Sequence, residues 1–553
     1  MTSHNVMATS LPDLFAAGLV QRCVPDVPRP SKQTRKDPPL PPGSDFYRLL
    51  FSRFIGRCTD LERDDLAAHL RWEKRGEIRV ATACSGTDVP LLVYAGLAEA
   101  ARDMLSVPLR IVHRFSCEKD IAKQRFLMQM YPTMPLLFSD ASALGAESGH
   151  DELSRVKQPI PKDVNSFLVG WPCTDVSNMN KYARTQTNRC CVASGGLRTG
   201  GVFKSVIDFC CNHGSEVDFL GNENVPALAT TPPDGGPDNL TAAVWLLDTQ
   251  ADMYTKTWQL NPLMFGVPQS RDRLWFPSFR RKVLRDLQLS DQEADSILTS
   301  IMQRIVGSQL ADIDLYLFPP GHDFLQHVLE MMPTADHTGS SEGKRKWPQQ
   351  HLKNFEAKGL KWWDTKYPSE EACQSYPFSR CVHLREFDLM HLSGVAEFPE
   401  RERRFVEISQ SLTRHAPPMQ GYVRAITPRI KYYTTDLCRP IIGIEELRLQ
   451  SIHFPNMKAL TRFPNELIRD LSGNAFEGSC CAAVIFCSHV LLSKGAAARE
   501  RASNVQSKAA SPAEVDADPA LLGQQEAEVD DDIESIWGLK RKNVTAVLWR
   551  HPH

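Results

Sequence analysis

Short β-rich runs alternate with helical stretches between about residues 76 and 278, and no other feature of the 553-residue chain constrains its fold as strongly. Candidate helices such as Asp120–Met130 and Phe203–Cys211 lie between the runs. Strand–helix alternation favours a mostly parallel sheet that is covered by helices on both faces. The runs are Ile78–Ala83, Ile111–Ser116, Leu136–Ser139, Ser166–Gly170, Val217–Gly221, Thr255–Leu260 and Arg273–Phe276.

Changes in composition divide the chain further. Residues Val24–Gly43 are so rich in proline that neither helix nor strand is expected there. The alternation stops after Phe276, and beyond Ser493 an excess of Ala, Glu, Asp and Ser is typical of disorder. The predicted segments are a flexible tail (1–75), the first part of an α/β domain (76–278), an inserted module (279–437), the returning part of the α/β domain (438–493) and a mostly disordered tail (494–553).

Charge and cysteine content exclude several classes of protein. The net charge of −2 gives no global basic field, so a nucleic-acid partner would have to use a local patch. The 15 cysteines include no C-x-x-C pair and follow no signal-peptide pattern, which argues against a zinc ribbon and a secreted disulfide framework. The apolar run Ala482–Leu492 is too short for a membrane span. We therefore expect a soluble intracellular protein with free thiols and no metal.

Three successive strand ends carry residues that suit an adenosine-containing cofactor. The first strand runs into the small turn Ala83–Gly86, where backbone could approach a ligand closely or simply lead into a helix. Glu118 follows the second strand and could accept ribose hydroxyls or cap a helix. Asp140 follows the third and could accept from an adenine amino group or serve as an N-cap. The three together favour the cofactor interpretation.

The later strand ends carry candidate catalytic residues. Cys173 follows Pro172 directly after a buried strand, where a thiol is either a nucleophile or a structural residue. Glu223 comes at the next strand end and is a candidate acid at the same edge. Arg271 and Arg273 enter the last strand and form either an anion clamp or a solvated edge.

In this order, the motifs resemble those of the cytosine-5 methyltransferase family, which uses S-adenosylmethionine. The resemblance covers about residues 79–276 and 439–489. It is carried by Pro172-Cys173 with Ser177, Glu223-Asn224-Val225, Gln269-x-Arg271-x-Arg273, Gly473-Asn474-Ala475, and Arg439 with Glu445–Gln450.

The resemblance implies a Rossmann-like methyltransferase fold and a covalent mechanism. Residues 76–278 and 438–493 would form the catalytic domain, and residues 279–437 a smaller inserted target-recognition domain. Cys173 would attack carbon 6 of a flipped cytosine, and Glu223 would bind its N3 and exocyclic amine. Arg271 and Arg273 would support the base and the active-site loop.

The same resemblance assigns the cofactor pocket. S-adenosylmethionine would be bound by the turn residues, by Glu118 at the ribose, by Asp140 and Ala141 at the adenine, and by the late Asn474. The turn residues are Ala83, Cys84, Ser85 and Gly86. A loop from Thr174 to about Gly201 would close over the base.

The chain departs from the family's usual motifs at three positions. Asp88 stands where the family often has a glycine, Thr174 where a glutamine is usual, and Phe476 where a valine is usual. None of these changes removes a reacting group.

The substrate remains open at this stage. DNA is the leading partner because the inserted module is larger than a tRNA enzyme would need, and tRNA is the first alternative. A nucleic-acid-binding relative without catalysis is the second, although Cys173, Glu223 and Arg271 are all present. The stretch Lys344–Tyr367 interleaves basic and aromatic residues, which suits phosphate contact and base stacking or a small amphipathic core element. We expect a nuclear location, because the basic clusters Lys344–Lys346 and Leu539–Lys542 permit nuclear import.

Overall fold

The structure is a computed structural model of the 553-residue chain. It describes residues 11–18, 20–30, 37–71, 77–177, 190–232, 235–332, 347–357, 359, 382–392, 404–410 and 417–510. Part of the basic and aromatic stretch Lys344–Tyr367, and part of the predicted loop Thr174–Gly201, lie outside these residues.

A ten-stranded mixed sheet forms the centre of the described chain, in the order β5-β4-β3-β2-β1-β6-β7-β11-β8, with β9 also paired to β11. Strands β3, β2, β1, β6 and β7 run parallel, whereas β11 runs antiparallel to β7. Two small sheets pair β10 with β13, and β12 with β14 and β15. The strands are β1 (Glu77–Ala83), β2 (Arg110–Cys117), β3 (Leu137–Phe138), β4 (Ser148–Asp151), β5 (Val156–Pro159), β6 (Ser166–Val169), β7 (Phe219–Asn224), β8 (Met253–Thr255), β9 (Trp258–Leu260), β10 (Gln269–Ser270), β11 (Arg273–Arg280), β12 (Phe405–Glu407), β13 (Val423–Arg424), β14 (Tyr432–Thr434) and β15 (Arg439–Pro440).

Helices cover both faces of this sheet, so the predicted Rossmann-like architecture is confirmed. Alternate strand residues enter two separate cores: Leu168 and Phe219 point to one, Phe167 and Leu220 to the other. The helices are α1 (Leu11–Ala16), α2 (Phe46–Gly56), α3 (Asp60–Arg71), α4 (Val89–Leu105), α5 (Ile121–Met130), α6 (Cys191–Ser194), α7 (Leu197–Asn212), α8 (Asn239–Thr249), α9 (Arg281–Asp286), α10 (Asp291–Ile305), α11 (Asp323–Met331), α12 (Trp347–Ala357), α13 (Leu384–Leu392), α14 (Gly443–Leu449), α15 (Asn465–Asn474), α16 (Gly478–Ser493) and α17 (Ala496–Ala510). Helices α2, α4, α10 and α16 contribute to the first core, and α7 and α8 to the second.

Strand order places a crevice where such folds bind ligands. The chain proceeds from β1 outward through β2 to β3, then returns to the other side of β1 with β6. The carboxyl ends of β1 and β6 therefore flank a topological switch point. Both the turn after β1 and the Pro172-Cys173 pair lie at this edge.

The prediction of a flexible tail over residues 1–75 is wrong for its second half. Helix α2 buries Leu50, Phe51 and Phe54 completely, and α3 buries Leu66 completely. These side chains belong to the first core beside the central sheet, because the apolar residues of FYRLLFSRFIG follow helical spacing.

The predicted later boundaries also differ from the packing. Helix α10 lies inside the segment predicted as an inserted module, yet Leu298, Ile301 and Met302 are buried in the first core. Helix α17 continues the chain into the segment predicted as mostly disordered, and Ala497 donates its backbone N–H to Asp65 at 3.1 Å. The division into catalytic and recognition domains stays a prediction.

One stretch of the described residues, Asn465–Ser493, is long and apolar enough to cross a membrane, and its most apolar 18-residue window has a mean hydropathy of 1.7. Its most apolar window is 94% buried within the protein. Every residue of α16 is buried, so this helix is part of the core.

Candidate active site

The turn after β1 depends on left-handed backbone. Cys84, Gly86 and Asp88 have φ angles of +53°, +53° and +52°. Glycine adopts this region freely and aspartate tolerates it better than most residues, so Asp88 can hold a conformation that a glycine would also adopt. The backbone then enters α4 with Pro90 in its first turn, a position where proline's missing N–H costs nothing.

Asp88 is fully buried under this turn and is held by hydroxyl groups. Thr82 donates to Asp88 Oδ1 at 2.5 Å, and Ser116 donates to Asp88 Oδ2. Ser85 extends the network through Thr82 at 2.7 Å. Burial raises the pKa of Asp88 to about 7, although these hydrogen bonds oppose the shift. The carboxyl group therefore holds the turn against β2 and has no solvent access.

Glu118 contacts the same turn from the end of β2. Its Oε2 accepts the backbone N–H of Gly86 at 2.9 Å, and its Oε1 accepts that of Asp120 at 2.9 Å. A carboxylate oxygen has a second lone pair, so these bonds leave acceptor capacity for a ligand hydroxyl. Glu118 thus ties the first two strand ends together.

Asp140 acts as an N-cap in the described structure. It accepts the backbone N–H of Ser142 at 3.0 Å and pairs with Lys119 Nζ at 3.0 Å. These interactions hold its pKa below the usual value, although partial burial opposes them. Ala141 follows it and is buried. The predicted adenine contact stays a prediction at both positions.

A cavity with an empty volume of about 270 Å³ opens at the switch point between β1 and β6. Four of the predicted cofactor residues line it: Ala83, Cys84, Ser85 and Asn474. The other four, Gly86, Glu118, Asp140 and Ala141, do not line this cavity, although Glu118 and Gly86 are bonded to each other beside it. The remaining lining residues are Thr82, Thr87, Asp88, Val89, Pro90, Leu168, Ala475 and Phe476.

Cys173 is fixed by the residues around it. Trp171 is buried, and its ring centroid lies 4.7 Å from that of Phe203. The side chain of Asn224 donates a hydrogen bond to the backbone carbonyl of Trp171 at 3.2 Å. After the cysteine the chain turns, and Ser177 donates its backbone N–H to the Cys173 carbonyl at 2.8 Å. The thiol is half-buried at the end of β6, which is where a positioned nucleophile is expected.

Glu223 and Arg273 form an ion pair next to this thiol. Arg273 Nε lies 3.1 Å from Glu223 Oε1, and the two side chains are only 14% and 12% exposed. Burial raises the pKa of Glu223, and Arg273 and Arg271 partly oppose that shift. Glu223 lies within β7, whereas the sequence pattern predicted that it would follow the strand.

The charges of this pair reach Cys173. Burial raises the pKa of its thiol, the negative charge of Glu223 raises it further, and Arg273 and Arg271 lower it. The predicted catalytic residues are therefore close enough to influence one another's ionisation.

Arg271 contacts backbone carbonyl groups. It is 3% exposed and donates to the carbonyls of Gly473 at 3.2 Å, Ala475 at 3.1 Å and Ile426. Burial lowers its pKa to about 9, with the charge of Arg273 acting in the same direction. Its guanidinium thus fastens the returning segment to the start of β11, and it is Arg273 that faces the glutamate.

The sequence analysis did not assign eight of the residues that line the cavity to the cofactor, and Leu168 and Phe476 are two of them. Leu168 gave no signal beyond its place in a buried strand. Phe476 was noted only as a departure from the family's usual valine. A large aromatic residue two positions after Asn474 was the available signal that Phe476 lines the cavity.

Curated proteins of two fungi resemble this chain over most of its length. It is 24% identical over 463 residues to a Cryptococcus neoformans protein named DNA (cytosine-5-)-methyltransferase DMT5, a match that covers 79% of this chain and 18% of that protein. It is 21% identical over 516 residues to a Verticillium dahliae protein of the same name, covering 80% and 20%. The chain is similar to proteins named DNA (cytosine-5-)-methyltransferase. It spans about a fifth of the length of these relatives.

Among solved structures, the chain is similar to the Schizosaccharomyces pombe Dnmt2 methyltransferase, with 11% identity, a TM-score of 0.35, and coverage of 74% of this chain and 97% of that one. It is also similar to the Entamoeba histolytica methyltransferase EhMeth, with 10% identity, a TM-score of 0.36, and coverage of 74% and 98%. No protein-family model matches the chain. The fold described above is assigned from the strand order of the chain itself.

Proposed function

We propose that the chain transfers a methyl group from S-adenosylmethionine to carbon 5 of cytosine in DNA through a covalent adduct with Cys173. The observation that supports it best is the convergence of Cys173, Glu223 and Arg273 at neighbouring strand ends, beside a cavity at the switch point. The names of the curated relatives favour DNA as the substrate.

The residues around the cavity fit this cofactor. Small side chains at Ala83, Cys84 and Ser85 and the left-handed Gly86 allow close approach of a nucleoside to the backbone. Glu118 has the acceptor capacity for ribose hydroxyls, and Asn474 lines the opposite wall. When bound, S-adenosylmethionine would supply an electrophilic methyl group.

The chain's own residues account for activation of the base. Cytosine carbon 5 is a poor nucleophile, and attack of the Cys173 sulfur on carbon 6 would make carbon 5 enamine-like. After carbon 5 accepts the methyl group, a base would remove its proton and the Cys173 sulfur would leave carbon 6 by elimination. Glu223 would hydrogen-bond N3 of the base, and the upward shift of its pKa on burial makes it easier to protonate than an exposed glutamate.

Arg273 would act on Glu223 directly, and Arg271 would act through the returning segment. Arg273 would orient Glu223 through the 3.1 Å ion pair. Arg271 would hold the returning segment, which contributes Asn474 to the cavity. A DNA substrate places the protein in the nucleus, and the basic clusters Lys344–Lys346 and Lys540–Lys542 are candidate import signals that lie outside the described residues.

A trapping assay tests the proposal. The protein and S-adenosylmethionine are mixed with DNA containing 5-fluorocytosine and, separately, with tRNA containing the same base. We expect a denaturation-resistant adduct with the DNA, and none with Cys173→Ser, whose S-adenosylmethionine affinity stays within about twofold because the substitution changes one atom outside the cofactor cavity. An adduct with tRNA alone would favour the RNA alternative. Absence of both adducts in protein that binds the cofactor would favour the non-catalytic relative.

A further inference from the structure

Phe476 is the one aromatic side chain among the residues that line the cavity. Its ring also packs on Gly170, because a Cβ atom at that glycine would lie 2.6 Å from Phe476 Cε1. Gly170 is three residues before Cys173, at the end of β6. The ring therefore stands between the cofactor cavity and the turn that carries the nucleophile.

Trp275 holds the ring in this place from the other side. The two ring centroids are 5.2 Å apart with planes inclined by 54°. Trp275 is directly opposite Glu223 in the β7–β11 ladder, so the two side chains lie on the same face of the sheet. Phe476 thus joins the cavity wall to Gly170, which precedes Cys173, and to Trp275, which is opposite Glu223.

Among the residues that line the cavity, no side chain other than Phe476 is an evident partner for a positively charged ligand. The one carboxylate among them, Asp88, has one oxygen bonded to Thr82 and the other to Ser116. Burial raises the pKa of Cys84 to about 12, so this thiol is neutral at physiological pH. An aromatic face attracts a cation through its quadrupole, and the attraction strengthens where water is excluded.

We propose that Phe476 binds the positively charged sulfonium of S-adenosylmethionine through its aromatic face. The inference depends on the proposed function, in which the methyl group must point towards the base held by Cys173 and Glu223, and the sulfonium must then lie at the Phe476 end of the cavity. The demethylated product, S-adenosylhomocysteine, carries a neutral thioether. Phe476 would therefore favour the substrate form of the cofactor over the product form and promote exchange after each turnover.

Calorimetric titration of the full chain with both forms tests this role. The first variant is Phe476→Leu, which keeps an apolar side chain but removes the aromatic face. We expect the variant to bind S-adenosylmethionine more weakly, on the order of 2- to 30-fold, which is the range of a cation–π contact. Its affinity for S-adenosylhomocysteine should change less than about twofold. The affinity for sinefungin, which carries an ammonium group in place of the sulfonium, should fall together with that for S-adenosylmethionine.

A second variant preserves the shape of the ring. Incorporation of 3,4,5-trifluorophenylalanine at position 476 withdraws electrons from the face with little change in size, and it should weaken the two cations while leaving S-adenosylhomocysteine unchanged. Equal weakening of charged and neutral ligands, or no weakening, in protein whose unmodified form binds both would overturn the inference alone. Failure of the unmodified protein to bind either ligand would overturn the proposed function as well.

Discussion

At the scale of single residues, the ionisation of Cys173 depends on its neighbours. The Glu223 charge raises the pKa of the thiol, and Arg273 lowers it. We predict that Glu223→Gln lowers the thiol pKa, because the variant removes the negative charge and retains both arginines. The pH dependence of Cys173 alkylation by iodoacetamide, followed by mass spectrometry of the modified peptide, measures this shift. An unchanged or higher pKa would mean that the carboxylate does not act on the thiol.

Asp88 gives the fold a specific pH dependence. Its pKa rises from 3.8 to about 7 on burial, so between these values the folded protein keeps a proton that the unfolded chain has lost. The contribution to stability is therefore full below about pH 4, falls as the pH rises towards about 7, and is constant above that. Up to about 1.4 kcal/mol per pH unit is expected from one such group.

Comparison with Asp88→Asn isolates this contribution, since other titrating groups are common to both proteins. We expect the free energy of unfolding of the original protein to fall relative to the variant between pH 5 and pH 8, as measured by urea denaturation. Parallel profiles would contradict a raised pKa at Asp88.

Sequence patterns located the strand ends well, but they could not supply the contacts made there. Cys173, Glu223 and Arg273 were recognised from their place after or within buried runs, and Asn474 from a short motif. Arg271 was named from its motif, but its contacts could not be predicted in this way, because its carbonyl acceptors are 155 to 204 residues away along the chain. Such bonds exist only after the sheet and the returning segment have packed together.

At the scale of elements, the close packing of α2 on α4 was beyond prediction from the sequence. A Cβ at Gly96 would overlap Tyr47 Cβ and lie 3.1 Å from the Arg48 backbone nitrogen, so the helices approach with no space between them. The proline-rich stretch before α2 obscured this, because it made the whole region resemble a tail. Periodicity of the apolar residues Phe46, Leu50 and Phe54 was the signal that indicated a packed helix.

We predict that Gly96→Ala destabilises the protein by about 1–3 kcal/mol, the usual cost of overpacking between backbones. Gly56→Ala is the matched control, because it lies at the end of the contacting helix α2 and its Cβ would meet nothing within 4 Å. The control should be neutral or slightly stabilising by up to about 1 kcal/mol. Denaturant unfolding of both variants checks the difference, and equal effects would contradict the close approach.

At the scale of the whole molecule, residues 46–71 belong to the catalytic fold. Tyr47 donates to the Ser451 carbonyl at 2.5 Å, and Glu62 pairs with Arg304 at 2.7 Å, so α2 and α3 join segments from the middle and the end of the chain. We predict that deletion of residues 1–75 prevents folding of the catalytic domain, because it exposes the apolar surface that α2 and α3 cover.

Deletion of residues 1–10, which leaves every described residue in place, is the control. It should keep the melting temperature within about 2 °C, as measured by circular dichroism, since it removes no contact described above. A folded and cooperative 76–553 fragment would contradict the prediction.

The carbonyl bonds of Arg271 have a consequence for how the two ligands would communicate. One guanidinium holds Ile426, in the segment assigned to substrate recognition, together with Gly473 and Ala475, in the segment that borders the cavity. If a ligand displaces one of these segments, the hydrogen bonds that Arg271 makes to the other segment change as well. By thermodynamic reciprocity, nucleic acid and methyl donor would then alter each other's affinity by the same factor, and a single arginine would carry the coupling.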